Sequence, residues 1–279
     1  MAGMENSVPA TALPALGLGT YKLTGPEGQA AIERALALGY RHLDTAQAYG
    51  NEAVVGAALR AAGVPREAVQ VTTKLTADAF GPADRVRASL EGSLERLGLD
   101  RVDLVLIHWP NPWRTAQEGT FRQTAAALAG MVGDDGPAAS WGVSNFLSEH
   151  LETLAADGLQ AAVNQIQVDA LVQQRSVQEA TRAHGAAVVA HTPLGRGGKP
   201  FEVPAVTAAA AAHGATPAQV LLAWHRQSGR VAIPRSSSAA HLAENLASLE
   251  LELTADELAA VDAADSGRPA RQDPLEFGI

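Results

Sequence analysis

The chain has 279 residues, of which 47% are apolar and 18% charged, so a large core is available and global disorder is excluded. It has no cysteine, which rules out disulfides, thiolate metal sites and a cysteine nucleophile. A formal net charge of -9 with only 4% aromatic residues argues against nucleic acid or an anionic membrane as the main partner. The opening MAGMENSVPATALP lacks the basic-then-apolar order of a signal peptide, and no apolar run is long enough to span a membrane. A cytoplasmic protein is expected.

In chain order, Leu16–Thr20 of LGLGTYK reads as a short strand, and Pro26–Leu38 as a helix that Gly39 ends. Further strands are expected at Arg41–Asp44, Val69–Leu75, Asp103–Trp109, Trp141–Ser144, Ala162–Val168, Ala187–His191 and Val231–Pro234. Helical stretches lie between them at Pro82–Leu97, Glu118–Gly130, Ser148–Asp157, Val172–His184, Ala218–Gln227 and Ala239–Leu246. Strands with apolar cores alternating with helices indicate a parallel sheet covered on both faces. Eight such units in this length favour one (β/α)8 barrel over residues 1–279. The Pro/Arg-rich tail 266–279 is expected to be a loop packing back near the substrate pocket.

Chemistry in such a barrel gathers at the carboxyl ends of the strands. The polar residues that end these apolar runs are Asp44, Lys74, His108, Ser144 with Asn145, and Gln165. Tyr49 follows Asp44 within GYRHLDTAQAYGNE. A tyrosine is a weak acid near neutral pH, and a lysine beside its hydroxyl lowers its pKa by stabilising the phenolate. Asp44 would hold that lysine charged, and His108 would donate to an oxygen on which negative charge develops. Together these groups suit carbonyl reduction, with Tyr49 as proton donor and a cofactor supplying hydride. Taken singly, Asp44 and Lys74 are equally readable as a buried ion pair, and His108 as a core histidine.

The motifs fall in an order that resembles the aldo-keto reductase superfamily. They are GYRHLDTAQAYGNE at Gly39–Glu52, TTKL at Thr72–Leu75, LIHWP at Leu106–Pro110, GVSNF at Gly142–Phe146, VNQ at Val163–Gln165 and IPRSSSAAHLAEN at Ile233–Asn245. HWPNP at His108–Pro112 is similar to the bacterial branch that includes 2,5-diketo-gluconate reductases. The resemblance implies a catalytic tetrad of Asp44, Tyr49, Lys74 and His108. It implies that Ser144, Asn145 and Gln165 hold the nicotinamide carboxamide. Thr20 and Tyr21 would line the cofactor edge together with Asp44, and Thr192 and Leu194 would follow the ring-stacking position. Arg235, Ser236, Ser237 and Ser238 would grip the 2′-phosphate of NADPH at a helix N-terminus, with His241 beside them and Glu244 and Asn245 on the adenine. NADPH is the expected cofactor, with NADH at lower affinity.

The implied substrate is a small carbonyl compound, in a pocket of Tyr21, Tyr49, His108, Trp109 and Trp113; Trp141 and Trp224 are expected in the core. No metal site is expected, and the family default is a monomer.

The chain departs from the family pattern at four places. His191 stands where a Tyr or Trp usually stacks on the nicotinamide, and His241 where many NADPH-dependent members have arginine. Tyr21 replaces the commoner tryptophan, and IQVDAL follows Gln165 where close relatives have a Glu and a His. GRGGKP at Gly195–Pro200 lacks the spacing of a phosphate loop and reads as a loop near the pyrophosphate, with Arg196 and Lys199 as candidates. Two other readings of the same residues stand beside the reductase. One is a cofactor-binding sensor on this fold; the other is a barrel enzyme using Lys74 as a Schiff-base amine.

Overall fold

Residues 13–111, 120–196 and 198–278 are described by a computed structural model. Its strands follow one another in sequence order: β1 (Leu18–Gly19), β2 (His42–Asp44), β3 (Gln70–Leu75), β4 (Val102–Ile107), β5 (Ala138–Ser144), β6 (Val163–Gln167), β7 (Ala187–His191) and β8 (Val231–Ile233). Every neighbouring pair is parallel. Leu16 pairs in parallel with Ala232, and the Gly17 N–H donates to the Ala232 carbonyl at 2.8 Å, which joins the last strand to the first. This is the (β/α)8 barrel that the alternation predicts.

The strands are apolar at nearly every position because both faces are covered. β4, VDLVLI, is buried throughout except at Asp103. Its Leu104 and Leu106 point into the barrel with Val163, Val189, Val231 and Ile233. Val102, Val105 and Ile107 join the layer between strands and helices.

The helices of that outer layer are α1 (Gly25–Leu38), α2 (Glu52–Ala61), α3 (Ala83–Leu97), α4 (Phe121–Ala129), α5 (Ser148–Ala156), α6 (Arg175–Ala183), α7 (Pro204–His213), α8 (Pro217–Gln227), α9 (Ala239–Ala247) and α10 (Ala255–Asp262). α3 buries Val86, Leu90, Leu94 and Leu97, the one-face spacing of an amphipathic helix. α1 ends where Gly39 takes φ 116 and returns its N–H to Ala35 and Leu36, a geometry disfavoured for residues with a side chain. Gly56 on α2 is required for another reason: a Cβ there would stand 1.9 Å from the Leu97 carbonyl oxygen.

Three of these helices, α2, α7 and α10, were not among those read from the sequence. α7, PAVTAAAAAH, is mostly alanine, so no apolar stripe marks it. β4 stops at Ile107 rather than Trp109, although the His108 N–H still donates to Leu75 at 3.2 Å. α6 begins at Arg175 rather than Val172. Gln174 is left-handed at φ 48, and the Asp169 carboxylate accepts from the Leu171 and Val172 amides, forming a turn where the helix was expected. α9 starts at Ala239 as expected, with the Ser238 hydroxyl capping the His241 amide.

Candidate active site

β2 and β3 set the centre of the site. Their register pairs Asp44 with Thr72, which leaves Lys74 two residues further along β3 to cross above Asp44. The Lys74 ammonium donates to Asp44 Oδ1 at 2.5 Å, the Thr45 carbonyl at 2.9 Å and the Tyr49 hydroxyl at 3.3 Å. Those are all three of its protons. Lys74 and Asp44 are 0% and 1% exposed, so the pair is fully desolvated. The other Asp44 oxygen accepts from Gln165 Nε2 at 2.7 Å, tying β6 to β2 across the barrel mouth. Tyr49 sits on a single 3-10 turn, Gln47–Tyr49, closed by Gly50. Its ring lies 5.8 Å from His108, nearly edge-on, and 5.1 Å from Tyr21.

Burial pulls the Lys74 pKa down, but Asp44 and the Tyr49 oxygen more than offset it, so the lysine stays charged. Tyr49 corrects the sequence reading. Lys74 does favour the phenolate, but burial is the larger influence and Asp44 adds to it, so the hydroxyl is held above the ordinary tyrosine value of 10.0. His108 is driven well below 6.5 by burial, then by Lys74 and His191, and is therefore a neutral imidazole.

The GVSNF loop after β5 forms the neighbouring wall. Ser144 donates to the Gln165 carbonyl at 2.9 Å. Asn145 is left-handed at φ 61, a conformation asparagine tolerates better than most residues. Its Nδ2 donates to the His108 carbonyl and the Ser144 hydroxyl, both at 3.0 Å. That orientation turns Oδ1 toward His191 Nε2, 3.0 Å away, so the imidazole carries its proton on Nε2. His191 Nδ1 then accepts from the Thr192 hydroxyl at 3.1 Å. Burial, with the charges of Lys74 and Arg196, lowers the His191 pKa to about 3. Thr192 at φ 56 is a β-branched residue in a strained region, at the first bend after β7. Leu194 packs into the apolar layer behind it.

Several residues that hold this arrangement were not singled out from the sequence. Asn51, fully buried, donates to the Thr20 and Leu23 carbonyls at 2.8 and 2.9 Å and accepts from Thr45 at 2.9 Å. It fixes the segment of Thr20 and Tyr21 against Asp44, whose carbonyl accepts from the Thr20 hydroxyl at 3.0 Å. Asn164 does the same for the other wall, donating to the Phe146 carbonyl at 3.0 Å. Both asparagines lie inside quoted motifs, so position was the available signal.

The C-terminal tail reaches the barrel mouth, where Phe277 meets Trp109 edge-on at 4.7 Å between ring centres. Trp109 is 5% exposed, and Trp141 and Trp224 lie in the core as expected. Trp113 lies outside the described residues.

A second, more open corner forms around the start of α9. Arg235, Ser237 and His241 are exposed, and Ser236 is buried with its hydroxyl accepting from the Ser238 amide at 3.2 Å. Arg34 from α1 donates to the Ser237 carbonyl at 3.2 Å, bringing a second guanidinium that no local motif announces. Glu244 accepts from the Thr216 hydroxyl at 2.5 Å, while Asn245 is buried. Arg196 is exposed on the loop after β7, and Lys199 begins a short 3-10 turn there. Among the described residues no group of three or more His, Asp or Glu is placed to hold a metal ion, and no helix is long and apolar enough to cross a membrane.

The sequence matches the profile of the Aldo/keto reductase family over residues 15–200 and 202–266. An aldo-keto reductase of Mycolicibacterium vanbaalenii is 43% identical over 266 residues, 95% of this chain and 93% of the relative. One from Mycolicibacterium smegmatis is 42% identical over 95% of this chain and 92% of its own. Among solved structures, an aldo/keto reductase from Brucella melitensis superposes with a TM-score of 0.83 at 34% identity, covering 91% of this chain and 95% of that one. A mutant of the protein Gox0644, solved in complex with NADPH, superposes with a TM-score of 0.86 at 35% identity, covering 96% of this chain and 95% of that one.

Proposed function

The chain belongs to the aldo/keto reductase family, and from that premise we propose that it reduces aldehydes or ketones to alcohols with NADPH. The observation that carries this reading is the closed Lys74–Asp44–Tyr49 arrangement facing His108. Lys74 spends its three protons on Asp44, Thr45 and Tyr49, so Tyr49 can only accept from it. The tyrosine's own proton is left to point at a substrate oxygen. His108 is neutral at physiological pH, so it serves as a hydrogen-bond donor that steadies developing charge and leaves the acid role to Tyr49. Lys74 then stabilises the phenolate that remains.

The donor set fits a phosphorylated dinucleotide. Two guanidiniums, Arg235 and Arg34, meet the free amides at the start of α9, a combination suited to a 2′-phosphate. Ser144, Asn145 and Gln165 would orient a carboxamide, and His191 offers an uncharged ring for the nicotinamide. Bound there, the cofactor supplies the hydride. Thr20, Tyr21, Thr192 and Leu194 would line its edge, Glu244 and Asn245 would face the adenine, and NADH would bind more weakly for want of the phosphate. Tyr21, Trp109 and Trp113 would shape the substrate pocket, with the tail 266–279 over it as part of the same domain. HWPNP supports placement near the bacterial 2,5-diketo-gluconate reductase branch.

The test is NADPH oxidation, read by absorbance, against aldehydes, α-dicarbonyls and keto sugars, with cofactor binding measured separately by fluorescence. Turnover of at least one class is expected. Tight NADPH binding with no turnover on any of them would transfer the proposal to the sensor reading.

A further inference from the structure

The opposite end of the barrel carries a cluster of charge that carbonyl reduction does not use. A cleft of about 400 Å³ opens at the amino ends of β7 and β8, lined by Arg182 from α6, Arg226 from α8 and Arg230 ahead of β8, with Leu13, Ala15 and Gly185. Arg230 is only 6% exposed and stacks on Trp224 with its guanidinium 4.1 Å from a ring centre. Neither Arg182 nor Arg230 forms an ion pair among the described residues.

Instead both donate to one neutral acceptor, the buried Gln178 Oε1, at 3.2 and 3.3 Å. Two cations drawn to a single amide oxygen repel each other, and of the two Arg230 is held largely out of solvent while Arg182 is exposed. The nearby carboxylates are otherwise engaged: Glu252 pairs with Arg226 at 2.9 Å, and Asp262 accepts from the Trp224 indole at 2.8 Å. Arg226 Nε is buried without a partner. Burial, with repulsion from Arg182 and Arg175, brings Arg230 down to about 9 despite the attraction of Asp262.

We propose that this cleft binds a phosphate group, free or as a monoester, between Arg182 and Arg230 with Arg226 at its rim. Two unpaired positive charges match a phosphate dianion, and guanidiniums arriving from three elements suit its several oxygens better than a planar carboxylate. The site also reaches toward the catalytic end. Arg230 Nε donates to His225 Nδ1 at 3.0 Å, and His225 Nε2 donates to the Pro193 carbonyl at 3.1 Å. Pro193 lies two residues beyond His191, the last residue of β7, and directly after Thr192, so an anion on Arg230 braces that segment from below.

The probe is inorganic phosphate, titrated against the full chain without cofactor by thermal unfolding, with chloride at matched ionic strength as the reference. Because Arg235 and Arg34 form a second basic corner, Arg235→Ala is run in parallel. The expected result is a saturable rise in Tm specific to phosphate, retained in Arg235→Ala and weakened about tenfold in Arg182→Met, the loss of one charge-assisted hydrogen bond. Arg182 is exposed, so its replacement leaves the fold intact. Gln178→Glu, which places a carboxylate between the two guanidiniums, is expected to raise Tm without phosphate and to remove the response to it. A rise equal in chloride, one unaffected by Arg182→Met, or one lost in Arg235→Ala overturns the proposal. Methyl phosphate acting as strongly as inorganic phosphate assigns the site to a monoester; a response confined to inorganic phosphate assigns it to the free ion.

Discussion

The cluster around Lys74 and the corner at the start of α9 are both polar constellations at loop ends, yet they are built in opposite ways. Around Lys74 the ammonium and the Asp44 carboxylate are desolvated, and each proton of the ammonium has an assigned acceptor. Around Arg235 the groups placed to meet a phosphate, Arg235, Ser237 and His241, are exposed, and the partners come from α1 and α9, far apart in sequence. A desolvated ion pair is strongly destabilised when one of its charges is removed, because the other is left as uncompensated buried charge. An exposed corner loses affinity by degrees. The difference teaches where a substitution will act on folding and where it will act only on binding.

The largest effect should come from breaking the buried side. Lys74→Met leaves Asp44 without its counter-charge and is expected to cost about 3–5 kcal/mol of stability as well as turnover. Urea unfolding at neutral pH reads this directly, and a cost below about 1 kcal/mol would mean that the pair is not desolvated as described. Next in size is the pH dependence of the barrel interior. His42 is held at about 4, against an ordinary 6.5, by burial above all, so the native chain keeps it neutral while the unfolded chain takes up a proton.

Its contribution is therefore complete above pH 6.5 and is lost as pH falls toward 4, amounting to roughly 3 kcal/mol. His42→Gln should flatten the acid side of the stability profile; an unchanged slope would contradict this assignment.

On the exposed side, Arg235→Ala should weaken NADPH about 10- to 100-fold and leave NADH nearly unchanged, with no loss of stability. Equal losses for both cofactors would remove Arg235 from the 2′-phosphate. Arg34→Ala should show the same selectivity at a few-fold, since its guanidinium is partly committed to the Ser237 carbonyl. If Arg34→Ala weakens NADPH more than Arg235→Ala does, the two residues exchange roles.

The barrel and the gathering of Asp44, Lys74, His108 and Gln165 at one end of it were legible in the sequence for one physical reason. Polar residues that end apolar strands have nowhere to go but the carboxyl end of the sheet, which is how Asp44, Lys74, His108 and Gln165 declare themselves. The net pKa of Tyr49 was not legible, because it depends on how far burial outweighs Lys74. Nor was the coupling of His191 to Asn145, which needs both the end of β7 and a left-handed Asn145. Arg34 escaped notice because its partner, Ser237, lies far away along the chain; the tail was expected near the pocket, but that Phe277 meets Trp109 was not legible for the same reason. α7 escaped because a helix of alanines has no face to detect.

The central claim is that Tyr49 gives its proton to the substrate while Lys74 holds the site in place. Single-turnover oxidation of bound NADPH in Tyr49→Phe tests it most directly, using any carbonyl that the wild-type protein turns over. Removing only the hydroxyl should cut the rate by about 10²–10⁴ while NADPH affinity and unfolding stay within a factor of a few of wild type. A rate in Tyr49→Phe close to that of wild type would contradict the account.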